Sequence, residues 1–348
     1  MGARSTRSPD LCDFPRSRVA WGRFTGVSAT SHAEPSARGA GAAEDGYGPA
    51  GRSAWLDIDW REHQRWVSVD GQPVNVVELG PGRPPGRSQG ANGKPIVFVH
   101  GLSGSWPNWL EQLPVLASEH RVVALDLPGF GHSPMPSGEI SISGYARLLD
   151  RILDELQIDA AAVVGNSMGG FIGAELAIAF PQRVERLVLV SAAGLSTFGE
   201  PRATRAMPTL RRLQRITAAG AAWLASKSDA VSQRPRLREA TLALVMAHPG
   251  RLPAALAAEQ LRGAGTPGFI DALQAVLDYD VRARLPEIAC PTLIVWGDRD
   301  RLISVADADV FADLIPNSRK VIFSDTGHMA MLERPAAFNA LLEAFLSD

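Results

Sequence analysis

The chain has 348 residues, 45% apolar and 21% charged, with a formal net charge of −2. This length suits one large α/β domain, or a core with an insertion, and the near-neutral balance gives no electrostatic reason to expect nucleic acid or an anionic membrane as partner. Only two cysteines occur, Cys12 and Cys290, in segments of dissimilar character, so no disulfide and a reducing, cytoplasmic setting are expected.

Residues 1–51 are rich in Ser, Gly, Ala and Arg and carry neither a helical nor an alternating pattern. No apolar run of signal-peptide length occurs there. We read a disordered extension, ranked ahead of a mis-assigned start and a targeting sequence. Folded structure is expected to begin near Trp55. Segments 65–69 and 73–79 alternate around Asp70-Gly71 and predict a hairpin. After a Pro/Gly-rich loop, 95–99 and 121–125 are continuous apolar runs, as in strands covered on both faces. Gly129-Phe130-Gly131 follows a strand, but Pro134 occupies the third glycine position of a dinucleotide loop, and nucleotide binding is not expected.

A helix follows, with Tyr145, Leu148, Leu149, Ile152, Leu153 and Leu156 on one face. The run 160–164 reads as a buried strand and 170–177 as a buried helix. Asn166, Ser167, Glu175 and four glycines make residues 161–180 unsuited to lipid, so no stable membrane insertion is expected. A strand at 186–190 is followed, over 195–275, by Arg- and Ala-rich helical stretches broken by prolines. Strands resume at 292–296 and 320–323, and a last helix carries Phe338, Leu341, Leu342, Phe345 and Leu346. The fold class is α/β: a doubly wound, mostly parallel sheet with an inserted helical lid. The core comprises 52–194 and 276–348, and the lid 195–275.

The most informative element is Gly165-Asn166-Ser167-Met168-Gly169, lying between the buried strand and the buried helix. A strand turning directly into a helix at Gly-x-Ser-x-Gly strains the serine backbone and lifts its hydroxyl clear of the sheet. The Met168 N–H would then stand at a helix N-terminus, able to stabilise an oxyanion. Such a nucleophile needs a base and an acid to orient that base, both where loops leave the carboxyl ends of strands. Gly297-Asp298-Arg299-Asp300 follows one such strand and Ser324-Asp325-Thr326-Gly327-His328 another. Neither His-Glu-x-x-His nor paired Cys-x-x-Cys occurs, and neither a metal nor a cofactor is expected.

From about residue 65 to its end the chain resembles the α/β-hydrolase superfamily. Four segments carry the resemblance: Val99-His100-Gly101-Leu102, Asp126-Leu127-Pro128-Gly129-Phe130-Gly131-His132-Ser133, Gly165-Asn166-Ser167-Met168-Gly169-Gly170, and Gly327-His328 with the final helix. The resemblance implies Ser167 as nucleophile, His328 as base and Asp300 as acid, with the N–H groups of Leu102 and Met168 as oxyanion hole. Asp298 competes for the acid role; the family places the acid at the fourth position of such a Gly-x-x-Asp turn, which is Asp300. His100 corresponds to the family's structural histidine, and His132 is expected to brace the turn after Asp126.

A serine at the elbow disfavours the alkyl-enzyme chemistry of family members that carry a carboxylate there. Acyl chemistry remains, with a small-molecule substrate, and carboxylic-ester hydrolysis is placed first. Carbon–carbon bond hydrolysis comes second. Gly-Asn-Ser-Met-Gly-Gly and Ser191-Ala192-Ala193-Gly194-Leu195 are similar to the hydrolases of aromatic degradation, but the 101–106 loop and Met329 depart from them. A ligand-binding receptor of the same fold is the non-enzymatic alternative. Trp223, Leu224, Leu242, Val245, Met246, Trp106 and Trp109 could line an apolar pocket or fill the core equally well. Substrate identity and oligomeric state are not legible.

Overall fold

The computed structural model describes residues 46–81, 94–195 and 223–348. Cys12, most of the expected extension, the 82–93 loop and the first part of the expected lid lie outside them. The described residues contain one sheet of eight strands. These are β1 (Gln64–Val69), β2 (Gln72–Leu79), β3 (Ile96–Val99), β4 (Val122–Leu125), β5 (Ala161–Asn166), β6 (Val184–Val190), β7 (Thr292–Gly297) and β8 (Ser318–Phe323). Their spatial order is β1-β2-β4-β3-β5-β6-β7-β8. β1 pairs antiparallel with β2 and β2 with β4; every other pairing is parallel. The expected hairpin turns at Asp70 and Gly71, both at positive φ.

The helices are α1 (Leu113–Leu116), α2 (Ile142–Glu155), α3 (Met168–Ala179), α4 (Ser228–Ser232), α5 (Pro235–Leu242), α6 (Ala254–Arg262), α7 (Phe269–Asp278), α8 (Ala306–Leu314), α9 (Ala330–Glu333) and α10 (Pro335–Ser347). The continuous apolar strand sequences are explained by two cores, one on each side of the sheet. Val97 and Val99 of β3 join Val163, Leu187 and Phe311 on one side. Ile96 and Phe98, pointing the other way, join Trp109, Leu113, Phe338 and Leu342. Helix α3 is buried along all but its last residue. Its one charged residue, Glu175, is matched at 2.6 Å by the Tyr279 hydroxyl and at 2.8 Å by Arg284, so the carboxylate is not stranded in the core.

β3 lies between β4 and β5, so chain connections leave it toward opposite sides of the sheet. In doubly wound sheets the crevice at such a switch point, beyond the strand carboxyl ends, is where ligands bind. Between β6 and β7 the chain is helical, from α4 to α7 among the described residues. It reaches the loops at the carboxyl edge through backbone contacts: Gly268 N–H donates to Gly129 O at 2.9 Å, and Val245 O accepts from His328 N–H at 3.1 Å. Helix α7 continues to Asp278, three residues beyond the boundary at 275 expected from sequence.

A second boundary also moves. Residues 46–51 belong to the fold rather than to a disordered extension, because Tyr47 is buried and Gly48 N–H donates to Glu333 O at 2.7 Å. Nearby, Trp55 donates to Glu111 at 2.8 Å and Trp60 to Trp55 O at 3.0 Å. No described helix is long and apolar enough to cross a membrane.

Candidate active site

Ser167 sits between the end of β5 and the start of α3 with φ 56° and ψ −119°, a conformation that non-glycine residues avoid. The surroundings hold it there. Its N–H donates to Val190 O at 2.9 Å, and its carbonyl accepts from Phe171 and Ala193 N–H at 3.1 and 3.0 Å. The two flanking glycines are demanded by space. A Cβ on Gly165 would collide with the backbone of Gly169, and a Cβ on Gly169 would collide with the carbonyls of Val99 and His100. Strain of this kind, overdetermined by packing, is characteristic of functional positions.

Met168 opens α3, so its N–H has no partner within the helix. The loop after β3 runs alongside: a Cβ added to Gly101 would stand 2.9 Å from Ser167 Cβ, which brings Leu102 next to the elbow. His100 fastens this loop. Leu127 N–H donates to His100 Nε2 at 3.0 Å, which leaves the ring proton on Nδ1, 2.8 Å from Gly101 O. Burial pushes the imidazole toward its neutral form, against the pull of Asp126. Both ring nitrogens of His100 are thereby committed to backbone. Asp126, fully buried, accepts from Trp106 N–H at 2.8 Å, Asn75 Nδ2 at 2.9 Å and His132 N–H at 2.9 Å. His132 thus meets Asp126 through its backbone, with its ring 3.6 Å away.

On the other side of β5, His328 and Asp300 come together from the loops after β8 and β7. His328 Nδ1 lies 2.8 Å from Asp300 Oδ2, and both side chains are buried. Desolvation would raise the Asp300 pKa. The hydrogen bond and charge of His328, with the N–H groups of Ile303 and Leu302, outweigh it and hold the carboxyl below its usual range. Asp298 points elsewhere and accepts from Thr326 N–H at 3.3 Å. Asp325, nearest to His328 in sequence among the loop's acids, instead meets His248 Nε2 at 2.9 Å and Arg299 at 2.8 Å.

Two residues of the site were not singled out from sequence. Asn166, beside Ser167, donates through Nδ2 to Val190 O at 3.1 Å and to His328 O at 3.3 Å, joining the elbow to the histidine loop. Glu333 has no exposed surface, and its carboxylate accepts from the N–H groups of Ala247 (2.8 Å), Gly327 (3.0 Å) and Met329 (3.2 Å) and from the Tyr47 hydroxyl (2.9 Å). Burial pushes its carboxyl upward and these donors pull against it. The available signals were a lone amide ending an apolar strand and a lone carboxylate ending the apolar run 329–332, since a buried polar group requires partners.

Of the two roles left open by the sequence for these apolar residues, pocket or core, most take the second. Trp109 is fully buried with its ring 4.9 Å from Phe98, Trp106 packs at 4.9 Å on Trp60, and Leu242 and Met246 are buried as well. Trp223 is exposed. Among the described residues no group of three or more His, Cys, Asp or Glu side chains could hold a metal ion.

The family model for the alpha/beta hydrolase fold matches residues 94–335. The chain belongs to the α/β-hydrolase family. This hydrolase is similar to a 2-hydroxy-6-oxo-2,4-heptadienoate hydrolase of Pseudomonas putida, at 31% identity over 81% of this chain and 96% of that one. It is also similar to the dihydrolipoyllysine-residue acetyltransferase component of the acetoin cleaving system of Cupriavidus necator, at 32% identity over 74% of this chain. There the match spans 65% of the relative's own length. Among solved structures, the enol-lactonase of Burkholderia xenovorans superposes with a TM-score of 0.65 at 25% identity, covering 82% of this chain and 100% of that one.

Proposed function

We propose that the chain is a serine hydrolase acting on a small carbonyl substrate, most simply a carboxylic ester, through an acyl-enzyme. The observation that carries this reading is the buried His328–Asp300 pair at 2.8 Å on a loop whose carbonyl is tied to the residue beside Ser167. With Asp300 accepting from Nδ1–H, the lone pair of His328 Nε2 is free to take the Ser167 proton. Ser167 Oγ attacks the carbonyl carbon, and the electron pair of the C=O bond moves onto oxygen, facing the N–H groups of Leu102 and Met168. Collapse restores the C=O bond and expels the alkoxide, which takes the proton from His328. Water, deprotonated by the same nitrogen, then releases the acid and regenerates Ser167.

Carbon–carbon bond hydrolysis is the second reading, favoured by the relative from Pseudomonas putida that matches over nearly its whole length. The same groups would serve, but the leaving group would be carbon and would need protonation there. In either case the region between β6 and β7 acts as a lid over the crevice, and the substrate enters beneath it. A series of chromogenic esters of increasing acyl length, assayed beside one ring-cleavage dienoate, separates the two readings. Turnover of esters with an initial burst of product supports the first, whereas turnover of the dienoate alone establishes the second. Failure on both, with Ser167→Ala equal to wild type, overturns the enzymatic assignment.

A further inference from the structure

We propose that Glu333 is the positioning residue of the histidine loop and that Tyr47, from the segment preceding the sheet, completes its setting. This rests on the serine-hydrolase reading above and extends it to residues remote from the reacting atoms. His328 is the only residue between two of Glu333's donors. Gly327 N–H lies 3.0 Å from both carboxylate oxygens and Met329 N–H lies 3.2 Å from one. The N–H groups of the residues on either side of His328 are therefore fastened to a single buried side chain. The third backbone donor, Ala247 at 2.8 Å, belongs to the helical region between β6 and β7, and two residues earlier Val245 O receives His328's own N–H. One carboxylate thus ties the base loop to the chain segment that packs over it.

Tyr47 closes the arrangement. Its hydroxyl donates to Glu333 Oε2 at 2.9 Å and accepts from His248 N–H at 2.9 Å. Two guanidinium groups lie over the ring, Arg251 at 4.8 Å and Arg334 at 5.1 Å from its centroid, and help to hold it in place. Each donor on a buried acceptor reinforces the others, and releasing one leaves a carboxylate that must find a new partner or shift. A shift at Gly327 or Met329 moves the imidazole directly. Glu333 touches neither substrate nor Ser167 in this scheme; it acts only through the geometry of His328.

The test uses the full-length chain, a fluorophosphonate probe that reacts only with an activated serine, and one chromogenic ester. Glu333→Gln keeps the size but replaces one acceptor oxygen with an NH₂ group facing N–H donors. It should lower the labelling rate at Ser167 and kcat together by on the order of tenfold to a hundredfold, the cost of misplacing a reacting group by a fraction of an ångström to 1 Å. KM should stay within about twofold, since the groups that bind substrate uniformly are untouched. Tyr47→Phe removes the hydroxyl's bonds to Glu333 and to His248 N–H but leaves the donors of the histidine loop on Glu333, so it should give a smaller loss in the same sense, about threefold. Should Glu333→Gln fail to fold, Tyr47→Phe decides. A purely structural role predicts a lowered melting temperature with wild-type labelling rates, and that result overturns the inference while leaving the serine-hydrolase reading intact. A wild-type chain that the probe does not label at Ser167 overturns both.

Discussion

The elbow at Ser167 and the loop at His328 are held by opposite means. Around Ser167 the side-chain requirements are adjacent in sequence, two glycines with the strand and helix they join, and the distant partners at Val99, His100, Val190 and Ala193 are all backbone groups. Around His328 only Glu333 is close in sequence. Asp300 is 28 residues away, Val245 and Ala247 come from the segment between β6 and β7, Asn166 from β5, and Tyr47 from the start of the described chain. A motif can therefore encode the elbow, because its side-chain requirements fall on a few consecutive residues and its distant partners are backbone. His328 has no such autonomy, and its position is a property of the whole fold.

The sharpest way to break this comparison is at the hydroxyl itself. Ser167→Ala should lower kcat by about 10⁶ while leaving melting behaviour unchanged, as removal of a nucleophile does in serine proteases. A loss of less than about 10², measured with any substrate the protein turns over, would point to a different nucleophile.

Next in size is the pair of aspartates after β7. Asp300→Asn preserves the volume but presents the imidazole in the wrong tautomer, and kcat should fall by about 10⁴. Asp298→Asn loses a 3.3 Å bond to Thr326 N–H and should cost less than about tenfold. Parallel kcat measurements on one chromogenic ester decide between them, and a crippled Asp298 variant would move the acid two residues back.

The glycine requirement of the elbow is tested by one methyl group. Gly169→Ala drives a Cβ into the carbonyls of Val99 and His100, which are backbone and cannot rotate away. The expected destabilisation is about 3 kcal/mol or more, seen in urea unfolding. A variant as stable as wild type would show that the close approach of α3 to β3 is not a constraint.

The distributed character of the histidine loop is tested at its far end. A chain beginning at residue 51 loses Tyr47 and should be less stable than one beginning at residue 46 by about 1–3 kcal/mol, the cost of orphaning a buried acceptor. Equal melting temperatures would make the Tyr47 contact incidental.

The smallest effect is in pH. The folded-state pKa of Asp300 lies below its unfolded value, so ionised Asp300 contributes stability above the unfolded pKa of about 3.9. That contribution is lost as pH falls through the lower folded value. The melting-temperature gap between wild type and Asp300→Asn should accordingly be steady from neutrality down to about pH 4 and narrow below it. A gap that does not narrow in acid would place the stabilisation outside the Asp300 carboxylate.

All eight strands were legible because each is a continuous or alternating apolar run bounded by turn residues, and a strand buried on both faces has no other way to be written. Helix α2 was legible from its single apolar face. The place of Tyr47 in the fold was not, and although folded structure was expected from near Trp55, the partners there were not legible, since these aromatic residues follow no period and are ordered by distant groups such as Glu111 and Glu333. The role of Trp106 and Trp109 as core rather than pocket was equally invisible, because an apolar side chain looks the same in either setting.

By itself, then, the sequence determined the sheet, the strained serine and the set of loops from which an acid and a base could come. These follow from local sterics and hydrophobic periodicity, which act between neighbours along the chain. Only the tertiary structure decided that Asp300 rather than Asp298 or Asp325 faces His328. All three lie within a few residues of the right strand ends, and a difference of two residues in a loop is settled by the direction in which the backbone points each side chain. It alone revealed Asn166 and Glu333 as partners of the histidine loop, because a hydrogen bond between residues far apart in sequence leaves no pattern along the chain.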